Sequence, residues 1–410
     1  MSSSRIVIIG AGHAGVRAAL SAREAGHEGP LTMIANEGID LPYERPLLSK
    51  WSPERSLVRP IAPDHHFEDA GINRINASVS SINREAHEVI IDDGTSQPYS
   101  RLLLATGASA RRLDTGLTKG APIHYLRNLN DAVRIRKTAD RAASAIIIGG
   151  GFLGLELAAS LRGMGVEVQV LESANRLLAR AVTEPVAALV QTLHENHGVK
   201  FYFGIKLKSL TSGAVILDDG RSLSADLIIA GVGSTPNTKL AQDAGLALEN
   251  GIKVNTHLQT TDPDIFAAGD CCSFPLYGED GVMARLESWQ AAGEQGALVG
   301  RNMLNHQRIS CALIPWFWSE QYDHVLQVSG LTDTTTESVE RVYADDHHVS
   351  FGINEDDTLA FASGIAPSTK VAKDIRFASK MIEAGTLVDK AQLGDATIAL
   401  KSLLHRKQLS

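Results

Sequence analysis

Two glycine turns, Gly10-Ala-Gly12-His-Ala-Gly15 and Gly149-Gly-Gly151-Phe-Leu-Gly154, predict an α/β fold of two tandem Rossmann-like βαβ units. A stretch of alternating short strands beyond Pro315 predicts an additional α+β domain. Each turn follows an apolar run, Arg5–Ile9 or Ala145–Ile148, and precedes a helical pattern, Gly15–Ala25 or Leu155–Met164. In such a turn the first glycine permits the tight bend. The second lets backbone approach a pyrophosphate, and the third lets the helix pack closely on its strand. The helix N-terminus then faces the phosphate charge. One GxGxxG is weak evidence. The same strand–turn–helix order twice in one chain is strong evidence.

The bulk composition sets the limits. A chain of 410 residues is long enough for two or three domains, and 44% apolar content is enough to fill their cores. A net charge of −8 argues against nucleic acid as a partner. The three cysteines, Cys271, Cys272 and Cys311, form neither a disulfide framework nor a metal-type spacing, which fits a reducing compartment. No apolar run approaches membrane-spanning length, and the first residues, MSSSR, lead directly into a strand with no room for a signal peptide. The expectation is a soluble cytoplasmic protein.

Along the first unit, strand Leu31–Ile34 is followed by Glu37, 27 residues past Gly10. An acid there can hydrogen-bond an adenosine ribose, or it can be a solvated loop carboxylate. LPYERPLLSK (41–50) has two prolines that suppress helix, and carries Glu44, Arg45 and Lys50. A rigid turn presenting cations can form a second wall for the same ligand, or be a surface loop. Val89–Asp92 and Tyr99–Leu104 read as strands around the turn Asp92-Asp93-Gly94. The second of them ends in Ala105-Thr106-Gly107, small residues that let backbone come close to a ligand.

The second unit repeats this order. Strand Glu167–Leu171 ends at Glu172, 23 residues past Gly149. Asp218-Asp219-Gly220 marks another hairpin, and LIIAGVG (227–233) echoes LLLATG (102–107). The strand ending in Gly269-Asp270 is again a ligand-facing strand end, and Glu287–Leu304 has helical periodicity. In the last domain Val325–Leu331, Ser338–Tyr343, His348–Ile353 and Thr358–Ala362 read as antiparallel strands, and Lys370–Glu383 and Ala396–Leu404 as helices.

Two dinucleotide sites in one chain imply a hydride relay between a resident flavin and a nicotinamide that comes and goes. Glu172 accepts hydrogen bonds from ribose hydroxyls and repels a 2′-phosphate, so NADH is favoured over NADPH, with Arg176 and Arg180 nearby as the opposing signal. No Cys pair lies near the first helix, and the residues around 40–50 hold no thiol. Adjacent Cys271 and Cys272 are expected to be reduced and buried, because a vicinal disulfide is strained. With no internal relay, electrons should leave for an acceptor outside the chain.

At this point the sequence resembles the FAD-dependent ferredoxin reductases that feed bacterial Rieske-type dioxygenases and haem-thiolate monooxygenases, and the related rubredoxin reductases. The resemblance spans essentially the whole chain. It rests on Gly10–Gly15, LPYERPLLSK, LLLATG, YLRNLNDA (125–132), IIIGGGFLGLELA (146–158), AAGDC (267–271), RLESWQAAGEQG (285–296) and PWFWSEQY (315–322). It implies a glutathione-reductase-like arrangement, with FAD in 1–112 and 236–312, NADH in 113–235, and a third domain, 313–410, covering the flavin. It also implies a 2Fe-2S ferredoxin as acceptor, with the protein a monomer or homodimer.

Carried over by position, Gly10, Gly12 and Gly15 hold the FAD pyrophosphate, with His13 and Ala14 in the same turn, and Glu37 binds the adenosine ribose. Arg45 and Lys50 belong to the flavin-binding loop, with Lys50 near flavin N5. Val79 gives an adenine-side backbone contact, Ala105, Thr106 and Gly107 a close strand end, and Arg127 an FAD contact. Asp270 bonds the ribityl chain and Trp289 lies near the ring. On the NADH side stand Gly149, Gly151, Phe152, Leu153, Gly154, Glu172 and Gly233, with Glu156 near the nicotinamide. Lys50 and Glu156 are the expected catalytic pair. Asn36, Leu47 and Gln290 depart from the family's usual residues.

Trp316 and Trp318 are candidates for the acceptor's docking face, or domain-packing aromatics. Arg301, Arg308, Lys370, Lys373 and Arg376 are candidate basic contacts for an acidic ferredoxin, or simply solvated. His65-His66 and His347-His348 read as surface residues in loops, not metal ligands. The runner-up functions are a rubredoxin reductase and, from another class, an NADH-binding redox signalling protein of the apoptosis-inducing-factor type.

Overall fold

The structure is a computed structural model that describes residues 4–37, 41–51, 56–118, 120–276, 281–304, 308–332, 335–344 and 346–404. The chain divides into two compact units. One comprises Met1–Glu44, Val58–Ser109 and Ser234–Leu313; the other comprises Arg45–Leu57, Ala110–Gly233 and Ile314–Ser410. Residues 45–57, expected with the first nucleotide-binding region, therefore group with the second unit.

The first unit is built on a parallel sheet in the order Ile265–Ala267, Arg101–Leu104, Ile6–Ile9, Leu31–Ala35, Ile72–Asn76. Ile6–Ile9 is central and buried along its whole length. A strand covered on both faces needs a continuous apolar run, which is why this segment shows no alternation. Helix His13–Glu24 follows it and packs on helix Trp289–Asn302 through small residues. A Cβ at Gly296 would lie 2.3 Å from the Ala14 carbonyl oxygen, and one at Gly300 would lie 2.4 Å from that of Ala18.

A hairpin between Val89–Asp92 and Tyr99–Leu104 does not form. The turn instead joins Glu88–Ile91 to a short strand, Ser96–Pro98, and Arg101–Leu104 goes to the parallel sheet. Gly94 takes a positive φ of 86° in this turn. Pro98, which has no N–H, sits at the end of the edge strand, where a donor is dispensable.

The second unit repeats the pattern with a parallel sheet ordered Lys200–Tyr202, Glu167–Leu171, Ser144–Ile148, Leu227–Ala230. It adds an antiparallel sheet ordered Trp316–Gln321, His324–Gly330, Leu359–Pro367, His347–Ile353, Glu337–Ala344. Helix Lys370–Glu383 buries Val371, Ile375, Ala378 and Met381 in that sheet's core, a helical i, i+4, i+7 stripe. A further core joins Leu155, Leu177, Val186 and Val190 to Leu326, Val328, Phe361 and Ile365.

Several sequence expectations need correction here. Trp316–Gln321 is a strand of this sheet, and Trp316 packs against its core. The helix expected over 396–404 is only a 3-10 turn, Leu400–Leu403, preceded by a short helix, Lys390–Gly394. Asp395 accepts the Thr397 N–H, a local bond that competes with helix. Arg45–Ser49 forms a 3-10 turn despite its prolines, with Pro46 in the first turn, where no donor is needed. His65 and His66 lie in helix Asp64–Asp69. His347 and His348 open a strand and meet Asp374 at 3.4 Å and Glu340 at 2.5 Å. Among the described residues no helix is long and apolar enough to cross a membrane.

The helix–helix contact gives a stability prediction. Gly296→Ala should destabilise the protein by about 1–3 kcal/mol, the usual cost of overpacking, read as a lower urea midpoint. Gly163→Ala, whose new Cβ meets nothing within 4 Å, is the matched control and should be neutral or slightly stabilising.

Candidate functional site

Both glycine turns are built alike to within tenths of an ångström. Gly10 has φ +112°, and its Cβ would lie 2.1 Å from the Ala105 carbonyl oxygen. Gly149 has φ +111°, and its Cβ would lie 2.4 Å from the Gly231 carbonyl oxygen. Gly15 and Gly154 approach the carbonyls of Gly10 and Gly149 just as closely. The middle glycines differ. A Cβ on Gly12 or Gly151 would meet nothing within 4 Å. Each is the N-cap of its helix, has extended backbone, and supplies no capping side chain. Neither first turn, His13-Ala14-Gly15 or Phe152-Leu153-Gly154, carries an acid. Open space in front of uncapped helix N–H groups, with no acid in the first turn, suits a diphosphate. The residues present therefore fit two dinucleotides.

The acid that follows each turn is held in its own way. Glu37 accepts a hydrogen bond from the Tyr43 hydroxyl at 2.5 Å. Neighbouring Asn36 donates to Ser78 Oγ, just before Val79 opens a strand. Glu172 Oε2 accepts the Gly150 N–H at 2.7 Å. Its Oε1 accepts the Ala174 N–H at 2.7 Å and the Ser173 hydroxyl at 3.2 Å. A carboxylate offers about four acceptor sites. If the Ser173 hydroxyl turns to solvent, two remain for a pair of ribose hydroxyls. Arg176, one of the two arginines that weighed against NADH, points its guanidinium at the carbonyls of Leu177 and Ala179.

In the first unit the Ala105-Thr106-Gly107 strand end is fixed to Asn237. Thr106 Oγ1 donates to the Asn237 carbonyl, and Asn237 donates back to the carbonyls of Thr106 and Gly107. Asp270 follows Gly269, and its carbonyl accepts from Arg285. Trp289 Nε1 donates to Glu44 Oε2 at 2.5 Å, and its ring lies 4.5 Å from that of His13. Sequence reasoning missed the Trp289–Glu44 contact. Burial, helped by Arg17, lowers the His13 pKa to about 4. Its buried Nδ1 has no hydrogen-bond partner among the described residues.

Arg45, Lys50 and Arg127, three residues expected to contact FAD, all lie in the second unit, Arg127 within the 113–235 stretch where the sequence put it. Arg45 donates to the Arg127 carbonyl at 2.9 Å. Lys50 Nζ meets Glu156 Oε1 at 2.8 Å, with both side chains over nine-tenths buried. The pair inferred from sequence is therefore formed. Two hydroxyls complete it: Ser49 Oγ donates to Glu156 Oε2 at 2.5 Å, and Ser319 Oγ to Oε1 at 2.7 Å. Ser160 Oγ accepts from the Trp51 N–H and donates to the Ser49 carbonyl, fastening this loop to helix Phe152–Gly163. Gly233 keeps φ +101° and accepts from the Arg111 N–H.

With this geometry in place, the comparisons are decisive about class. The chain belongs to the pyridine nucleotide-disulphide oxidoreductase family, whose model matches residues 4–296, and a reductase C-terminal domain matches residues 316–404. It is 37% identical over 419 residues to the ferredoxin–NAD(+) reductase component of the anthranilate 1,2-dioxygenase system of Burkholderia cepacia, covering 98% of this chain and 100% of that protein. The ferredoxin reductase for the CYP199A2 system from Rhodopseudomonas palustris matches with a TM-score of 0.90 at 33% identity, over 97% of this chain and 99% of that one. The covalent putidaredoxin reductase–putidaredoxin complex gives a TM-score of 0.90 at 31% identity, over 98% and 99%.

Two histidines with lowered pKa predict an acid sensitivity. Burial also lowers the His194 pKa to about 4, so His13 and His194 fold neutral while the unfolded chain binds protons below about 6.5. Their contribution is complete above pH 6.5 and is lost as pH falls towards 4. Urea midpoints should decline across that window, with a shallower slope in His194→Gln. An unchanged slope in the variant would contradict the assignment.

Proposed function

We propose that this chain is an NADH:ferredoxin oxidoreductase, a flavoprotein that takes hydride from NADH onto FAD and passes electrons singly to a 2Fe-2S ferredoxin serving an oxygenase. The observation that carries this is the doubled glycine cradle in a chain without usable thiols. Cys271, Cys272 and Cys311 are free and buried. Burial pushes all three thiols up, Cys311 to about 11, so none is a ready thiolate. Despite the family's name, disulfide chemistry has no agent here, and an outside acceptor is needed. The ferredoxin reductases similar to it over nearly its full length support that acceptor.

FAD, when bound, supplies the centre that accepts two electrons together and releases them one at a time. The chain's own residues bind and orient. We assign 1–112 and 236–312 to FAD, 113–235 to NADH, and 313–410 to a C-terminal domain. Gly10, Gly12 and Gly15, with the amides of His13 and Ala14, hold the FAD pyrophosphate, and Glu37 its ribose. Val79, Ala105, Thr106, Gly107, Arg45, Arg127, Asp270 and Trp289 supply the remaining FAD contacts. Gly149, Gly151, Phe152, Leu153, Gly154 and Gly233 cradle NADH, and Glu172 takes its ribose hydroxyls. Lys50 and Glu156 form the charged pair at the reacting nicotinamide. Reduced, buried cysteines support a cytoplasmic location.

One titration tests the central claim. The purified protein should show a flavin spectrum that NADH bleaches, and a two-iron ferredoxin should then reduce cytochrome c. No bleaching by NADH overturns it. Glu172→Ala should raise the KM for NADH about tenfold or more and narrow the preference over NADPH, because it removes charge-assisted bonds to the ribose.

A further inference from the structure

Behind Glu156 the second unit holds a single file of polar side chains. Strand period places Ser319 and Gln321 on the same face, and helix Glu184–Asn196 brings His194 against them. Ser319, Gln321 and His194 are all at most 2% exposed. From Glu156 Oε1 the chain runs to Ser319 Oγ at 2.7 Å, then to Gln321 Nε2 at 3.1 Å. From Gln321 Oε1 it continues to His194 Nε2 at 2.8 Å, and from His194 Nδ1 to the Tyr322 hydroxyl at 3.2 Å. His197 stacks on Tyr322 at 3.6 Å.

One premise fixes every proton in this file. Glu156 faces the Lys50 ammonium at 2.8 Å, so it is taken as a carboxylate, which only accepts. Ser319 must then spend its one hydrogen on Glu156 and accept from the Gln321 amide N–H. Gln321 therefore turns its carbonyl to His194, whose Nε2 must carry the proton. His194 Nδ1 is left to accept from Tyr322. Burial keeps this histidine neutral, with one N–H to give.

The file cannot conduct protons by ordinary hopping. Gln321 would have to lose an N–H proton to Ser319 while its carbonyl gained one, becoming an imidic acid. What the file provides is four dipoles with their donor ends turned towards one anion. We propose that Tyr322, His194, Gln321 and Ser319 are positioning residues that hold Glu156 as an oriented carboxylate, and so Lys50 as its ammonium partner, for reaction with NADH. The role in the reaction rests on the function proposed above. The proton pattern does not.

Two measurements on the FAD-loaded full-length protein test it separately. In 15N-histidine NMR, with His194 assigned from the His194→Gln spectrum, the ring should be neutral and protonated on Nε2 at pH 7. A proton on Nδ1, or a charged ring, overturns the pattern and the proposal with it. In stopped-flow flavin reduction by NADH, Gln321→Leu should lower the limiting rate on the order of tenfold, the value of a lost bond in a file ending on a charge, with NAD+ affinity unchanged. In a Glu156→Gln background the same substitution should have no further effect, because a neutral amide leaves no anion to hold. Losses that add independently of Glu156 overturn the proposal. If Gln321→Leu does not fold, Ser319→Ala, which deletes one atom, runs the same cycle. If wild-type flavin is not reduced by NADH, the proposed function fails, whereas the histidine spectrum still decides the proton pattern.

Discussion

At Gly10 and Gly149 a neighbouring carbonyl oxygen lies where a side chain would begin, 2.1 and 2.4 Å from an ideal Cβ. No L-residue fits there, and positive φ excludes one a second time. This tight passage lets a buried strand turn directly into a helix whose first N–H groups face open space. If the turn were relaxed by a few ångströms, the helix would no longer pack on its own strand at Gly15 or Gly154. The open space at the helix N-terminus depends on it. The arrangement recurs in two separate units with nearly the same φ, which shows a constraint of backbone geometry and not an accident of one site.

A second constraint acts around Glu156. A carboxylate 7% exposed must be surrounded by donors or lose its charge. The donors come from two segments far from Glu156 in sequence: the 3-10 turn ending at Ser49 with Lys50 just after it, and the strand bearing Ser319. This explains why Arg45–Leu57 groups with the second unit although its neighbours on both sides belong to the first. It also gives the antiparallel sheet a purpose beyond packing, since its edge strand delivers a hydroxyl to the same carboxylate.

What could be read from the sequence divides along the same line. Features encoded by local backbone chemistry were legible: both turns, the strands ahead of them, Glu172 at a strand end, and the stripe of Lys370–Glu383. Features that depend on distant partners were not. Trp289 meets Glu44 across 245 positions. Gln321 meets His194 across 127. Trp316–Gln321 hid as a strand because three bulky aromatics broke its alternation and invited a surface reading. Ser96–Pro98 hid because a proline ends it. The Lys50–Glu156 pair came from family resemblance, and no spacing rule would have joined a residue just past a 3-10 turn to one on a helix.

The two glycine turns are equivalent in geometry, so any difference between the two sites must lie past them. Glu172 is anchored by the amide of Gly150, inside the turn itself, which ties the acid to the glycine turn. Arg176 directs two of its donors to local carbonyls. A carboxylate in this position disfavours a phosphorylated ribose by repulsion. The first cradle differs beyond its turn. His13 is half-buried against Trp289 with a neutral ring, and the strand end opposite Gly10 is pinned by reciprocal bonds to Asn237. A site walled by aromatic rings and a doubly fastened strand end suits a resident cofactor. A site with a rigid acid and an exposed Leu153 beside it suits one that exchanges.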